Sequence, residues 1–150
     1  MIEVKIVTAD DVLNNENSSF LYEKYAEESK GDYLDVANSP SVESYKTLED
    51  LGMLTTIGAY NDGKLIGFLS LITAVMPHYG EKSSTIESFF VLKEFRKYGT
   101  AKRMMDLATN SAKENNSVVM FMSAPIGSRL DSVAKYMGFK ETNIVFTKKL

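Results

Sequence analysis

Along the chain the apolar positions change their period several times, and each change marks an element. "IEVKIV" alternates apolar and polar residues, which is the period of a half-buried strand. From about Asp10 to Lys30 the spacing becomes helical, broken near "NNENSS", with Phe20, Leu21 and Tyr25 expected along one face. "SPSVESYKTLEDL" predicts a further short helix after Pro40, with Ser39 or Ser41 as its N-cap. "MLTTIGAY" and "KLIGFLSLITAVM" then flank "NDG", the strongest hairpin signal in the chain.

After the polar loop "PHYGEKSS", the run "TIESFFVL" has apolar residues on both faces, which predicts a centrally placed strand. From Tyr98 the period is helical again: Ala101, Met104, Met105, Ala108 and Ala112 share a face that Lys102, Arg103, Asp106 and Lys113 largely avoid. That helix ends at "ENNS", and "VVMFMSA" reads as a short buried strand. A strand, helix, strand succession of this length predicts a right-handed crossover between parallel strands. A helix near Ser128 to Met137, a turn at Gly138 and a last strand "NIVFTKK" complete the pattern. The predicted fold class is α/β (α+β), a single domain over residues 1–150 without repeats or linkers. Its mixed sheet has antiparallel N-terminal strands, a parallel central pair and helices on both faces.

Composition narrows the chemistry. With 150 residues, 44% of them apolar, the chain can bury one core. The absence of cysteine excludes disulfides, thiolate metal sites and a thiol nucleophile. The greasiest run, Ile66 to Met76, is broken by Gly67, Ser70 and Thr73, so neither a signal peptide nor a membrane span is expected, and the default location is cytoplasmic. The net charge of -3 conceals an asymmetry: residues 1–60 hold 12 acids and 4 bases, residues 61–150 hold 8 acids and 13 bases. The basic half suits a phosphorylated ligand, and the acidic half would attract an amine. Nucleic acid is not an expected partner, because there is no strong basic cluster.

The junction "FFVLKEFRKYGTAKRMM" carries the most chemistry. A strand feeding a helix leaves the first helical amides unpaired, with the positive end of the dipole behind them, and so offers an anion site. Gly99 lets the backbone approach a phosphate, Ala101 keeps the next turn thin, and Arg96 and Lys97 add charge. The structural alternative is a turn glycine before a small helix residue. Glu87 is an acid inside an otherwise apolar strand, where a buried charge is costly unless it is paired or used. It is either a functional carboxylate or a structural one. His78 is the only histidine, so it makes no convincing metal site, and no metal is expected.

"VLKEFRKYGTAKRMM" resembles the acyl-CoA-binding motif of the GNAT acyltransferase superfamily, Arg/Gln-x-x-Gly-x-Gly/Ala, and the order of elements is similar too. "PHYG", "ESFFV", "APIGSRL" and "GFKETNIVF" further resemble small GNAT proteins of phages and prophages, from about Thr47 to the C-terminus; residues 1–46 are not matched. The resemblance implies an N-acetyltransferase using acetyl-CoA as acyl donor, by direct transfer to an amine of a small molecule or protein. The backbone around Arg96, Lys97, Tyr98, Gly99, Thr100 and Ala101 would hold the pyrophosphate. Phe89, Phe90, Val91 and Leu92 would line the pantetheine beside a splayed sheet, with an amide near Val91 or Leu92 as oxyanion donor. Glu87 would take the proton from the amine, with His78 as a second candidate. Relatives often place a tyrosine four residues before the last Gly-Phe as proton donor, and an asparagine near the helix start. Here those positions hold Ala134 and, near the start, Gly127 and Ser128, the latter an expected cofactor contact. Tyr136 is the helix's own phenol, but it lies about 200° round from Ala134. The alternative is a GNAT-like CoA-binding or protein-interaction module without turnover. A homodimer is left open.

Overall fold

A computed structural model of the chain describes residues 1–29 and 39–150. Lys30, the far end of the expected helical stretch, lies outside the described residues. The order is β1 (Ile2–Val7), α1 (Ala9–Leu13), α2 (Ser18–Ser29), α3 (Val42–Asp50), β2 (Leu54–Asn61), β3 (Lys64–Met76) and β4 (Glu81–Val91). A 3₁₀ turn (Lys93–Tyr98), α4 (Thr100–Glu114), β5 (Ser117–Met122) and α5 (Arg129–Tyr136) follow. The strands lie in sequence order, antiparallel from β1 to β4 and parallel between β4 and β5. The mixed α/β class is therefore as expected.

Local chemistry explains the boundaries. Thr8 caps α1 in a reciprocal box with Asp11, an arrangement worth about 1 kcal/mol. Asp62 and Gly63, at φ 49° and 83°, make the tight turn between β2 and β3. Ser41, not Ser39, caps α3. Thr55 bonds Ser111 of α4 at 2.9 Å, whereas its neighbour Thr56 lies among Ala9, Val12 and Tyr45. Because successive strand residues point to opposite faces, α4 covers one side of the sheet and the N-terminal helices the other. Leu21, Ile57, Leu65, Leu69, Leu71 and Met104 are fully buried between them.

Four expectations need correction. Phe20 is 44% exposed, and Tyr22 instead packs on Phe68 at 5.0 Å between ring centroids. β4 begins at Glu81, within the segment expected to be a polar loop, because its hydroxyl residues pair with the long β3. β5 is not buried: Val118, Val119 and Phe121 are exposed, and the strand is the outermost of the described sheet. The reason is the last correction. No strand forms over 139–150, where Ile144, Val145 and Phe146 are 74%, 74% and 88% exposed. Strand propensity expresses fit to a partner surface and does not by itself make a strand. Among the described residues, no helix is long and apolar enough to cross a membrane, and no group of three or more His, Asp and Glu residues could hold a metal ion.

Candidate active site

The register between β3 and β4 slips once, between Ser70 and Leu71: Ser70 faces Ser88, but Leu71 faces Ile86. Glu87 is the extra residue of a β-bulge. A bulge bends the strand and re-aims a side chain, and here it lets two consecutive residues serve one face. The Tyr45 phenol of α3 donates to Glu87 Oε2 at 2.7 Å and also interacts with the Ser88 hydroxyl. Glu87 is consequently exposed at the end of a hydrogen bond, not buried and uncompensated as the apolar surroundings suggested. Two phenols of α2 feel its charge as well. Burial and then Glu87 push Tyr22 up to about 12, and the same two causes raise Tyr25. Tyr45 is raised further, chiefly by burial, then by its bond to Glu87. Sequence reasoning missed all three tyrosines. The only available signal was Tyr22 and Tyr25 three apart on one helix, and nothing local linked them to Glu87.

Beside the bulge the sheet opens. β5 pairs with β4 only from Lys82 to Ile86, while β4 continues to Val91. The backbone from Glu87 onward therefore has no β5 partner on that edge, next to Phe89, Phe90, Val91 and Leu92. Phe90, Val91 and Leu92 are buried at 5%, 4% and 6% exposure, so these side chains pack into the core and leave the backbone as the accessible element.

At the end of the opening stands the N-terminus of α4. Gly99 precedes it in the left-handed region, φ 70°, with no side-chain cap, and a Cβ built there would meet nothing within 4 Å. Thr100 is fully buried and donates its hydroxyl to the Phe95 carbonyl at 3.1 Å. Ala101 packs partly against the core. Arg96 is committed inward: Nε bonds the Val91 carbonyl at 2.7 Å, and the guanidinium meets both oxygens of Glu28 at 2.8 Å. Lys97 lies over the exposed Tyr98 ring at 5.1 Å, and Lys102, in the first turn of α4, pairs with Asp106 at 2.7 Å.

The remaining expected residues fall in different places. Ser128 caps α5 by accepting from the Asp131 amide. Tyr136 is 85% exposed and close enough to Lys102 to add to the upward shift of that ammonium, whose main cause is Asp106. His78 is exposed in the β3–β4 turn, edge-on to Tyr79 at 4.9 Å. The turn is six strand residues from Glu87, about 20 Å along β4, so the two are not brought together. On the other side of Tyr22, a cleft of about 760 Å³ runs along α2 to the start of α3, past Ser18, Glu23, Ala26 and Glu27.

No curated protein matches the chain in sequence. Among solved structures, it is similar to a ribosomal-protein-alanine N-acetyltransferase from Brucella melitensis biovar Abortus 2308, with 17% identity, TM-score 0.75 and 99% of each chain covered. It is also similar to an aminoglycoside acetyltransferase from an uncultured soil metagenomic sample in complex with sisomicin, with 14% identity, TM-score 0.76, and 99% of this chain and 96% of that one covered. A third is AAC(6')-Iy in complex with the bisubstrate analog CoA-S-monomethyl-acetylneamine, with 18% identity, TM-score 0.73, and coverage of 100% and 99%. At these identities the likeness shows the fold. The model of the acetyltransferase (GNAT) family, however, matches residues 18–139, most of the sequence, and the chain belongs to that family.

Proposed function

We propose that this chain transfers an acetyl group from acetyl-CoA to an amine, with both reactants bound at once and no acyl-enzyme formed. The observation that carries the reading is the placement of Glu87 by the bulge, directly beside the open edge of β4. The uncapped α4 N-terminus with its open space at Gly99 fits a pyrophosphate, and the edge of β4 that β5 leaves open after Ile86 fits an extended pantetheine arm, Arg96 holding the Val91 carbonyl at its end. Of the loop residues, Gly99, Thr100 and Ala101 would contribute amides, while Arg96 would keep the loop attached to β4 and α2.

The acceptor would arrive as an ammonium along the cleft past Glu23, with Glu27 already paired to Lys24 at 3.0 Å and Tyr22 as the wall shared between cleft and carboxylate. Glu87 takes one proton from it. The neutral amine adds to the thioester carbonyl, whose oxyanion is held by the Val91 amide, because the Leu92 amide already donates to the Ile66 carbonyl at 2.9 Å; the C–S bond then breaks, and the departing CoA thiolate takes the second proton from the nitrogen. Holding the two reactants together supplies much of the acceleration. The narrower likeness to phage-type proteins rests on the segments quoted above.

An acetyl-CoA consumption screen over amine classes, with mass measurement of products, tests the activity. Glu87→Gln keeps the shape and removes the base, so turnover falls by about two to three orders of magnitude while acetyl-CoA affinity is unchanged. Unchanged turnover would make Glu87 structural. A CoA-binding module without turnover is the second reading, favoured by Ala134 and by the solvent exposure of Tyr136. It requires CoA binding with no product from any amine.

A further inference from the structure

Thr56 of β2, Ser70 of β3 and Ser88 of β4 are register partners across three strands, all buried, at 4%, 7% and 7% exposure. Ala9, Val12, Leu13, Tyr22 and Tyr45 close over this row of hydroxyls and leave a cavity of about 10 Å³, space for about one water molecule. Among the described residues, the buried side-chain polar atom without a hydrogen-bond partner is Thr56 Oγ1, in this row. The other face of the sheet shows what direct satisfaction looks like. There Thr73, Ser84 and Ser117 bond one another at 2.7 Å and 2.7 Å. Buried hydroxyls are rarely left unpaired, so a polar cavity beside an unpaired one calls for an occupant.

We propose that this cavity holds one ordered water bridging Thr56 to the Ser70 and Ser88 hydroxyls, and that this network, ending in Tyr45, positions the Glu87 carboxylate for its reaction. Tyr45 donates to Glu87 Oε2 at 2.7 Å, and the Ser88 hydroxyl, which lines the same cavity, acts to lower the phenol's pKa, as a donor to it does. One carboxylate oxygen is thereby fixed, and the other is turned toward the amine. Tyr45 and Thr56 are positioning residues; neither touches the reacting atoms. The other groups electrostatically coupled to Glu87 are the phenols of Tyr22 and Tyr25 on α2.

The positioning half of the proposal rests on the reading of Glu87 as the base, and the water half does not. Thr56→Val, Thr56→Ser and Tyr45→Phe separate them. A high-resolution crystal structure of the parent shows the water; Thr56→Val loses it and lowers Tm by about 3 °C, whereas Thr56→Ser keeps both. In Tyr45→Phe, kcat falls by about tenfold while the KM for acetyl-CoA stays the same. A dry cavity, or a Thr56→Val protein more stable than the parent, overturns the water. A kcat that is unchanged in Tyr45→Phe, or that falls only together with a rise in the KM for acetyl-CoA, overturns the positioning role. If Glu87→Gln leaves turnover intact, the base assignment fails by itself, and the water and the unfolding data still decide the cavity.

Discussion

At Gly99 a side chain would find room but not comfort. The position is at φ +70°, so any L-residue pays strain of about 1–2 kcal/mol, yet a Cβ meets no atom of the protein within 4 Å. The empty space is what an incoming phosphate would use. Gly99→Ala and Gly99→Glu share the backbone strain, so the difference between them isolates charge and bulk at the cradle. Both variants should fold, with thermal midpoints close to each other. By calorimetry, CoA binding should weaken only a few-fold in Gly99→Ala and by about a hundredfold or more in Gly99→Glu. Equal affinity in Gly99→Glu and the parent would place the pyrophosphate elsewhere.

Between elements, Arg96 is a joint and not a loose phosphate ligand. Its guanidinium ties the end of β4, through the Val91 carbonyl, to α2, through Glu28, and it lies 5.4 Å from the Phe90 ring. The side chain is only 13% exposed. A lysine cannot make this three-way contact, so Arg96→Lys should lower unfolding stability by about 1 kcal/mol, half-exposed Glu28 limiting the ion pair's share. Denaturant unfolding measures it, and an unmoved midpoint would show the joint to be dispensable. α5 supports a second expectation. Its phenol, Tyr136, is at the exposed end of the helix, and a thiolate leaving group needs little acid help, so Tyr136→Phe should keep more than about a tenth of parent turnover. A hundredfold loss with CoA affinity intact would make this phenol the proton donor.

The same elements show what the sequence could reveal. The hairpin around Asp62-Gly63, the buried face of α4 and the Gly99 junction are written in local chemistry, turn residues and a 3.6-residue period, and each stands where the pattern puts it. The bulge at Glu87 has no such signature. It exists because β3 and β4 differ in register on either side of it, a relation between residues far apart in sequence. Tyr45, 42 residues from Glu87, was illegible for the same reason. The missing strand over Asn143–Lys149 is the converse case, a run with strand composition whose formation depends on a neighbour.

Across the whole molecule, the phenols around Glu87 couple the site to stability at high pH. Burial raises Tyr22, Tyr25, Tyr45 and Tyr60 above the ordinary value of 10, Tyr22 to about 12. A phenol whose pKa is raised on folding keeps its proton in the native state after the unfolded chain has lost it. Below pH 10 both states hold these protons and the native state has its full stability; as pH rises from 10 through 12, the unfolded chain is favoured progressively. The protein should therefore lose stability steeply across that window. Phenolate absorbance from the buried tyrosines should rise together with the loss of circular dichroism, not before it. Phenols of this set titrating in an intact fold near pH 10 would contradict the burial. Glu87 provides an internal control, because its charge is the second cause of the shift at Tyr22 and Tyr25 and acts on Tyr45 through both bond and charge. In Glu87→Gln the three phenols should ionise at lower pH, and the alkaline loss of stability should become shallower. Because burial remains the larger cause, the transition should shift without disappearing. An alkaline transition identical to the parent's would mean that the carboxylate does not face these rings, whatever Glu87→Gln does to turnover.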